Sequence, residues 1–295
     1  MTVPVREPSG GRALGIGLWI VAVFVMLGSA VFQRLTGPTH PLRGGFAVAG
    51  EEHRYRLTRS GWSFEDERVA VPLPNHDVTG TLYFKRHKTD DPMTALPLRV
   101  EDGELAGYLP QQPAAGKLEY TIVLESPAGR IRVPDRDENV VIRFKDHVPL
   151  WVLLPHVFFM FFAVLFGIRA GLSALFQPAP MERYAWVALL LMSIGGMVLG
   201  PIVQKLAFGA FWTGFPLGYD LTDNKTLLMW IVWVAACGLF LARRSTRPQR
   251  RLAVVLATVV MLAVYLIPHS MRGSELDYGE LDRGVPAEEA VGQGG

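Results

Sequence analysis

His156 sits in Leu154-Pro155-His156-Val157, inside a run that carries no charge for about two turns on either side. An ionisable side chain at such depth marks a functional site unless a neighbour satisfies it. Pro155 cannot donate a backbone amide, so it frees a carbonyl next to the imidazole. His147 and His269 stand at the ends of neighbouring apolar runs, and Lys205, Asp220 and Asp223 fall in the same zone of the chain's alternation. Two or three histidines with carboxylates can ligate a divalent metal, and a histidine pair can hold haem. The plainer alternative is one hydrogen bond from His156 to an adjacent helix, with His147 and His269 lying at the membrane interface. No two histidines are three or four residues apart, so no single helix supplies a ligand pair. His156 acting with Asp220 or Asp223 as an intramembrane enzyme is a third reading.

The segment 204–225 is the most unusual in the chain. It holds Phe208, Phe211, Trp212, Phe215 and Tyr219, together with Gly209, Gly214, Gly218 and Pro216, and it ends on Asp220, Asp223, Asn224 and Lys225. One reading is a loop that dips toward the membrane and builds a polar pocket, because irregular backbone at that depth survives only under cover of protein or water. The other is an interfacial segment whose acids cap the next helix and favour its dipole. The candidate binding residues are therefore His156, Lys205, Trp212, Tyr219, Asp220, Asp223, Asn224, Lys225 and His269. His147, His156 and His269 are the metal candidates. No catalytic residue and no cofactor is assigned.

The elements that must position these residues are apolar helices. The stretches 14–33, 150–168, 184–203, 226–242 and 252–268 lack Asp, Glu, Lys and Arg, and about 20 apolar residues are needed to cross the hydrocarbon of a bilayer. The first is expected to be an uncleaved anchor following a tail over 1–13, although Gly28-Ser29-Ala30 would also suit a signal-peptidase site. The loop Arg243-Arg244-Ser245-Thr246-Arg247-Pro248-Gln249-Arg250-Arg251 carries five arginines and no acid, which assigns it to the cytoplasm. Alternation then puts the N-terminus and 169–183 inside, and 37–149, 204–225 and the tail outside. The tail 269–295 is acidic and is expected to be disordered. Gly196 and Gly200 have the small-xxx-small spacing of a helix-packing face.

Residues 37–149 read as strands. The runs are Arg54–Thr58, Arg68–Leu73, Gly80–Arg86, Ala95–Val100, Leu105–Leu109, Leu118–Glu125 and Val140–Phe144, with Arg130–Val133 as an eighth. Leu118, Tyr120, Ile122 and Leu124 alternate with polar neighbours, and the runs recur every 8–12 residues between turn signals. The pattern suggests an immunoglobulin-like sandwich, reached through a flexible connection over 33–50. This domain has 15 basic and 17 acidic residues, a mixed and solvated surface.

What is missing narrows the function further. Cys237 is the single cysteine, which rules out an intrachain disulfide and a thiolate metal centre. A net charge of +2 gives no electrostatic footprint for nucleic acid. Neither a phosphate-binding loop, nor His-Glu-x-x-His, nor Gly-x-Ser-x-Gly, nor a dinucleotide fingerprint occurs. The expected fold is an integral membrane α-helical bundle of about five spans with an inserted, extracytoplasmic all-β immunoglobulin-like sandwich. The expected function is that of a non-enzymatic scaffold or accessory protein in a bacterial inner membrane. Its partners would be the lipid bilayer and another membrane or extracytoplasmic protein, with no nucleic acid. The alternative is a small-molecule, metal or haem handling or transport protein with its site at the outer helix ends.

Overall fold

The computed structural model describes residues 9–74, 77–127, 129–268 and 273–292. Among them, five helices are long and apolar enough to cross a membrane: Gly11–Thr36, Leu150–Phe176, Met181–Phe208, Leu221–Leu241 and Arg247–Leu266. The chain divides into two compact units. One comprises Met1–Thr36, Pro149–Val203 and Leu221–His269, and the other Gly37–Val148, Gln204–Asp220 and Ser270–Gly295.

The helical unit contains α1 (Ser9–Thr36), α2 (Leu150–Phe176), α3 (Met181–Met192) with a π-helical stretch over Ser193–Leu199, the start of α4 (Gly200–Phe208), α5 (Leu221–Leu241) and α6 (Arg247–Leu266). Glycines let the helices approach closely. A Cβ on Gly171 would lie 2.5 Å from Thr258 Oγ1, and one on Gly195 would lie 2.8 Å from Phe159 Cβ. Gly196 does face a neighbour, Thr226, but Gly200 has only ordinary contacts, so Gly195 and Gly196 form the packing face. The second span does not end at Ile168. Arg169 is 1% exposed, and its guanidinium lies 4.7 Å from the Tyr184 ring and 5.5 Å from that of Trp19. It also hydrogen-bonds Ser173. With its charge held by π faces and a hydroxyl, the helix continues to Phe176. At the start of α6, Thr246 and Gln249 form a reciprocal capping box, which satisfies two end amides.

The strand unit contains β1 (Leu42–Val48), β2 (Glu51–Leu57), β3 (Ser60–Trp62), β4 (Glu67–Pro72), β5 (Thr79–Arg86), β6 (Thr94–Pro97), β7 (Arg99–Glu101), β8 (Glu104–Leu109), β9 (Lys117–Ser126), β10 (Gly129–Val133) and β11 (Val140–Lys145). They form three sheets. One is the β1–β2 hairpin, the second has the order β3-β11-β9-β5-β6 with β10 also on β9, and the third is β4-β8-β7. β3 and β11 run parallel, and every other strand pair is antiparallel. The core gathers the buried face of β9, Leu118, Tyr120, Ile122 and Leu124, with Leu57, Val69, Val71, Leu82, Ile142 and Phe144.

These observations correct the expected fold. The strands occupy one region, 42–145, and a helical region follows over 150–266, an order that is not a spanning bundle with an inserted β domain. Three sheets with a parallel pair also differ from the two antiparallel sheets of an immunoglobulin sandwich. The connection expected to be flexible over 33–50 is a helix end followed by β1. Its hairpin turns at Ala49 and Gly50, with φ of 52° and 87°, the left-handed pair that a two-residue turn requires. Gly44 lies against Tyr55, where a Cβ would overlap the ring. Of the tail expected to be disordered over 269–295, the described residues 273–292 are folded onto the strand unit. It contributes the helix α7 (Tyr278–Asp282) and a bridge between Leu276 and Val291.

Candidate functional site

The strand unit carries an open trough of about 1310 Å³. Its floor is the outward face of three neighbouring strands. Strand alternation sends Phe46, Val48, Tyr55 and Leu57 into the core and leaves Arg43, Ala47, Glu52, Arg54 and Arg56 exposed on the other face. Arg68 and Ala70 of β4, Glu104 of β8, Ile131 and Asp135 complete the lining. Arg68 is balanced, with Glu104 at 3.0 Å and Glu101 at 3.6 Å. Arg43, Arg54 and Arg56 make no ion pair among the described residues. Pairing places Arg43 directly opposite Arg56, and Gly45 opposite Arg54. The three guanidinium groups therefore share one face of a two-stranded sheet.

The other polar concentration in this unit is the seat of the tail. Ser274 donates to Asp220 Oδ2 from its backbone nitrogen at 2.5 Å and from Oγ at 2.9 Å. Thr213 Oγ1 donates to the same oxygen at 3.2 Å, and Gln204 donates to Thr213 Oγ1 at 2.8 Å. Arg143 donates to Ser274 O at 2.6 Å and lies over the Phe208 ring at 3.7 Å. Burial pushes the Arg143 guanidinium down to about 10, against the pull of Asp220 and Glu275, so it remains charged at neutral pH.

Beside this network, Glu275 takes an ion pair from Lys117 and another from Lys88 at 2.6 Å. Burial lowers the Lys117 pKa despite that partner. Burial would raise Glu275, but the hydrogen bonds from Lys117 and Lys88 outweigh it and hold the carboxyl below its ordinary value. Arg86 bridges Asp91 and Asp282. A smaller cavity of about 340 Å³ lies here, lined by His87, Lys88, Lys117, Glu275 and Tyr278 among others.

The residues singled out from sequence fall into separate places. In the helical unit, His156 Nδ1 donates to Gly195 O at 2.9 Å. The neutral ring then carries its proton on Nδ1, and the bond lands where the π-helical stretch loosens the ladder. Lys225 is 5% exposed and donates to Ile267 O and, at 3.4 Å, to Pro268 O, closing the carbonyl end of α6. Asp223 is buried in the first turn of α5, and Asn224 lies in the same turn.

In the strand unit, Lys205 donates to Gly209 O at 2.5 Å and pairs with Glu288 at 3.1 Å. Trp212 Nε1 donates to Phe215 O at 3.0 Å. Tyr219 is 85% exposed. His147 lies against the Trp62 ring at 6.1 Å. His269 lies outside the described residues. Among those described, no three His, Cys, Asp or Glu side chains gather as a metal set. The segment 204–225 is helical at both ends and irregular only over 209–220, where Asp220 accepts hydrogen bonds from the tail.

Sequence reasoning missed Arg43, Arg54 and Arg56, and it missed Ser274, Glu275 and Tyr278. The alternation Arg54-Tyr55-Arg56 was the available signal for the first group. The second group depends on partners more than 50 residues away in the chain, for which the sequence holds no local sign. No family model and no curated protein matches the chain.

Proposed function

We propose that this chain is a non-enzymatic membrane scaffold or accessory protein, whose five apolar helices lie in a bilayer and whose strand unit binds a protein partner on the side away from the arginine-rich loop. One observation carries the reading. The three segments that alternation assigns to a single side of the membrane, 37–148, 204–220 and the tail, belong to one compact unit, and that unit bears an open trough. The loop 243–251, with its five arginines, supports a cytoplasmic location for the opposite helix ends. The same alternation puts the N-terminus inside, in keeping with a bacterial cytoplasmic membrane. The polar clusters of the strand unit support binding rather than catalysis, because their members are engaged in holding the tail.

The test is photo-crosslinking in native membranes. A photoreactive residue at Ala47, in the trough, is expected to give a discrete adduct that the same residue at the exposed Tyr108 does not. No adduct from Ala47, or identical adducts from both positions, overturns the reading. Sidedness is checked with a membrane-impermeant thiol reagent in a Cys237→Ser background. Ala47→Cys should label from outside the cell, and Arg244→Cys should label only after the membrane is opened.

A further inference from the structure

We propose that the trough is an acidic-peptide site, in which Arg43, Arg54 and Arg56 grip alternate carboxylates of an extended segment of the partner. The inference rests on the partner-binding reading above and adds the chemistry of what is bound. Arg43 and Arg56 are direct cross-strand neighbours, and like charges so placed destabilise a hairpin. A sheet that keeps this repulsion without an internal carboxylate has it available for an external one. Glu52 and Asp135 also line the trough, but neither pairs with these arginines among the described residues. With 15 basic and 17 acidic residues over 37–149, the domain is not generally basic, so the cluster is local.

Size and spacing both select the occupant. A trough of about 1310 Å³ exceeds the roughly 300–1,000 Å³ of small-molecule pockets and suits a stretch of chain. Arg54 and Arg56 are two residues apart on one strand, about 6.6 Å along its axis. An extended peptide presents its own alternate side chains at the same interval. Each guanidinium can then take one carboxylate through two parallel N–H bonds. Ala47, Ala70 and Ile131 offer apolar contact between the charges.

The experiment uses the full chain in neutral detergent and a fluorescent peptide of alternating Glu and Val, read by anisotropy. A Gln-Val peptide is the comparison. The acidic peptide is expected to bind, to weaken as salt rises, and to exceed the Gln-Val peptide by at least about tenfold, the loss that one charge-assisted contact gives. The variant R43Q/R54Q/R56Q should lose at least as much, with a melting temperature equal to or above that of wild type, because the cross-strand repulsion is gone. Arg99→Gln, which alters an exposed arginine outside the trough, should leave binding unchanged. Equal binding of both peptides, or full binding by the triple variant, overturns the proposal. So does arginine-dependent binding of phosphatidylglycerol vesicles with no binding of the peptide, since the arginines would then read phosphate. If Ala47 crosslinks a partner while the acidic peptide fails, only this inference falls. If Ala47 crosslinks nothing, the reading beneath it falls as well.

Discussion

Ser274 gives two hydrogen bonds to one oxygen of Asp220, from its backbone nitrogen at 2.5 Å and from Oγ at 2.9 Å. A single buried carboxylate thus ties the segment between α4 and α5 to the tail, and Thr213 donates to the same oxygen. Hydrogen bonds to a charged acceptor contribute about 1.5–3 kcal/mol each, and donors left buried without an acceptor cost a similar amount.

Asp220→Ala is therefore expected to lower stability by about 2–3 kcal/mol and to release the tail before the strand core melts. Limited trypsin digestion should show it as faster cleavage after Arg283, with the remainder of the strand unit still protected. Asp220→Asn keeps an acceptor oxygen without the charge and should fall between wild type and Ala. Unchanged digestion of the Ala variant would mean that the tail is held elsewhere.

The Lys117–Glu275–Lys88 cluster predicts an acid-sensitive tail. Glu275 has a folded-state pKa below its ordinary value of 4.5, so the folded protein binds fewer protons than the unfolded chain in that range. Its contribution is full above the ordinary value and is lost as the pH falls through the lower, folded one. Protection against hydrogen exchange around Tyr278, taken relative to the intrinsic rate at each pH, should fall at acid pH in wild type. Glu275→Gln should exchange faster at neutral pH and lose much of that acid dependence. A variant whose exchange keeps the wild-type acid profile would place the titrating group elsewhere.

What the sequence made legible, and what it hid, follows from how local each signal was. The spans are read from uninterrupted apolar runs, which need no partner to be visible. Their limits are not, because Arg169 looks like a terminator until Trp19 and Tyr184 are brought beside it. Strand β9 declares itself by alternation, whereas β1 hides behind Gly44-Gly45, which reads as a linker although Gly44 makes room for Tyr55. The tail's acids suggested disorder, yet Asp282 and Glu275 find Arg86 and Lys117 on distant strands and Lys88 in the turn after β5. Of the candidate site, Asp220 was visible as a helix-capping residue, because capping is a local motif, but its donor Ser274 was not, being 54 residues away.

Helix packing gives a contrast between two glycines. A Cβ on Gly195 would lie 2.8 Å from Phe159 Cβ and 3.0 Å from the backbone nitrogen of Met160, while one on Gly238 would meet nothing within 4 Å. The backbone of α2 cannot yield as a side-chain tip can. Gly195→Ala should cost about 1–3 kcal/mol through overpacking and reduce the melting temperature in detergent. Gly238→Ala should be neutral or slightly stabilising, since Ala is the better helix former by about 1 kcal/mol. Equal melting temperatures for the two variants would show that α2 and the π-helical stretch are not in close contact.

Arg169 tests whether a buried charge can hold a helix bundle without a carboxylate. Its guanidinium is shared between the rings of Trp19 on α1 and Tyr184 on α3, with Ser173 and Gln177 accepting its hydrogen bonds. Desolvated contacts of this kind contribute about 2 kcal/mol or more. They depend on a planar cation that can stack, which an ammonium is not. Arg169→Lys should therefore be as harmful as Arg169→Ala or worse, because the lysine keeps the cost of a buried charge without the stacking that offsets it. Arg169→Met, which fills the space and removes the charge, should be the mildest of the three. Melting temperatures of the set in one detergent decide the matter. A lysine variant close to wild type, with alanine and methionine well below it, would mean that charge rather than stacking secures α1 against α2 and α3.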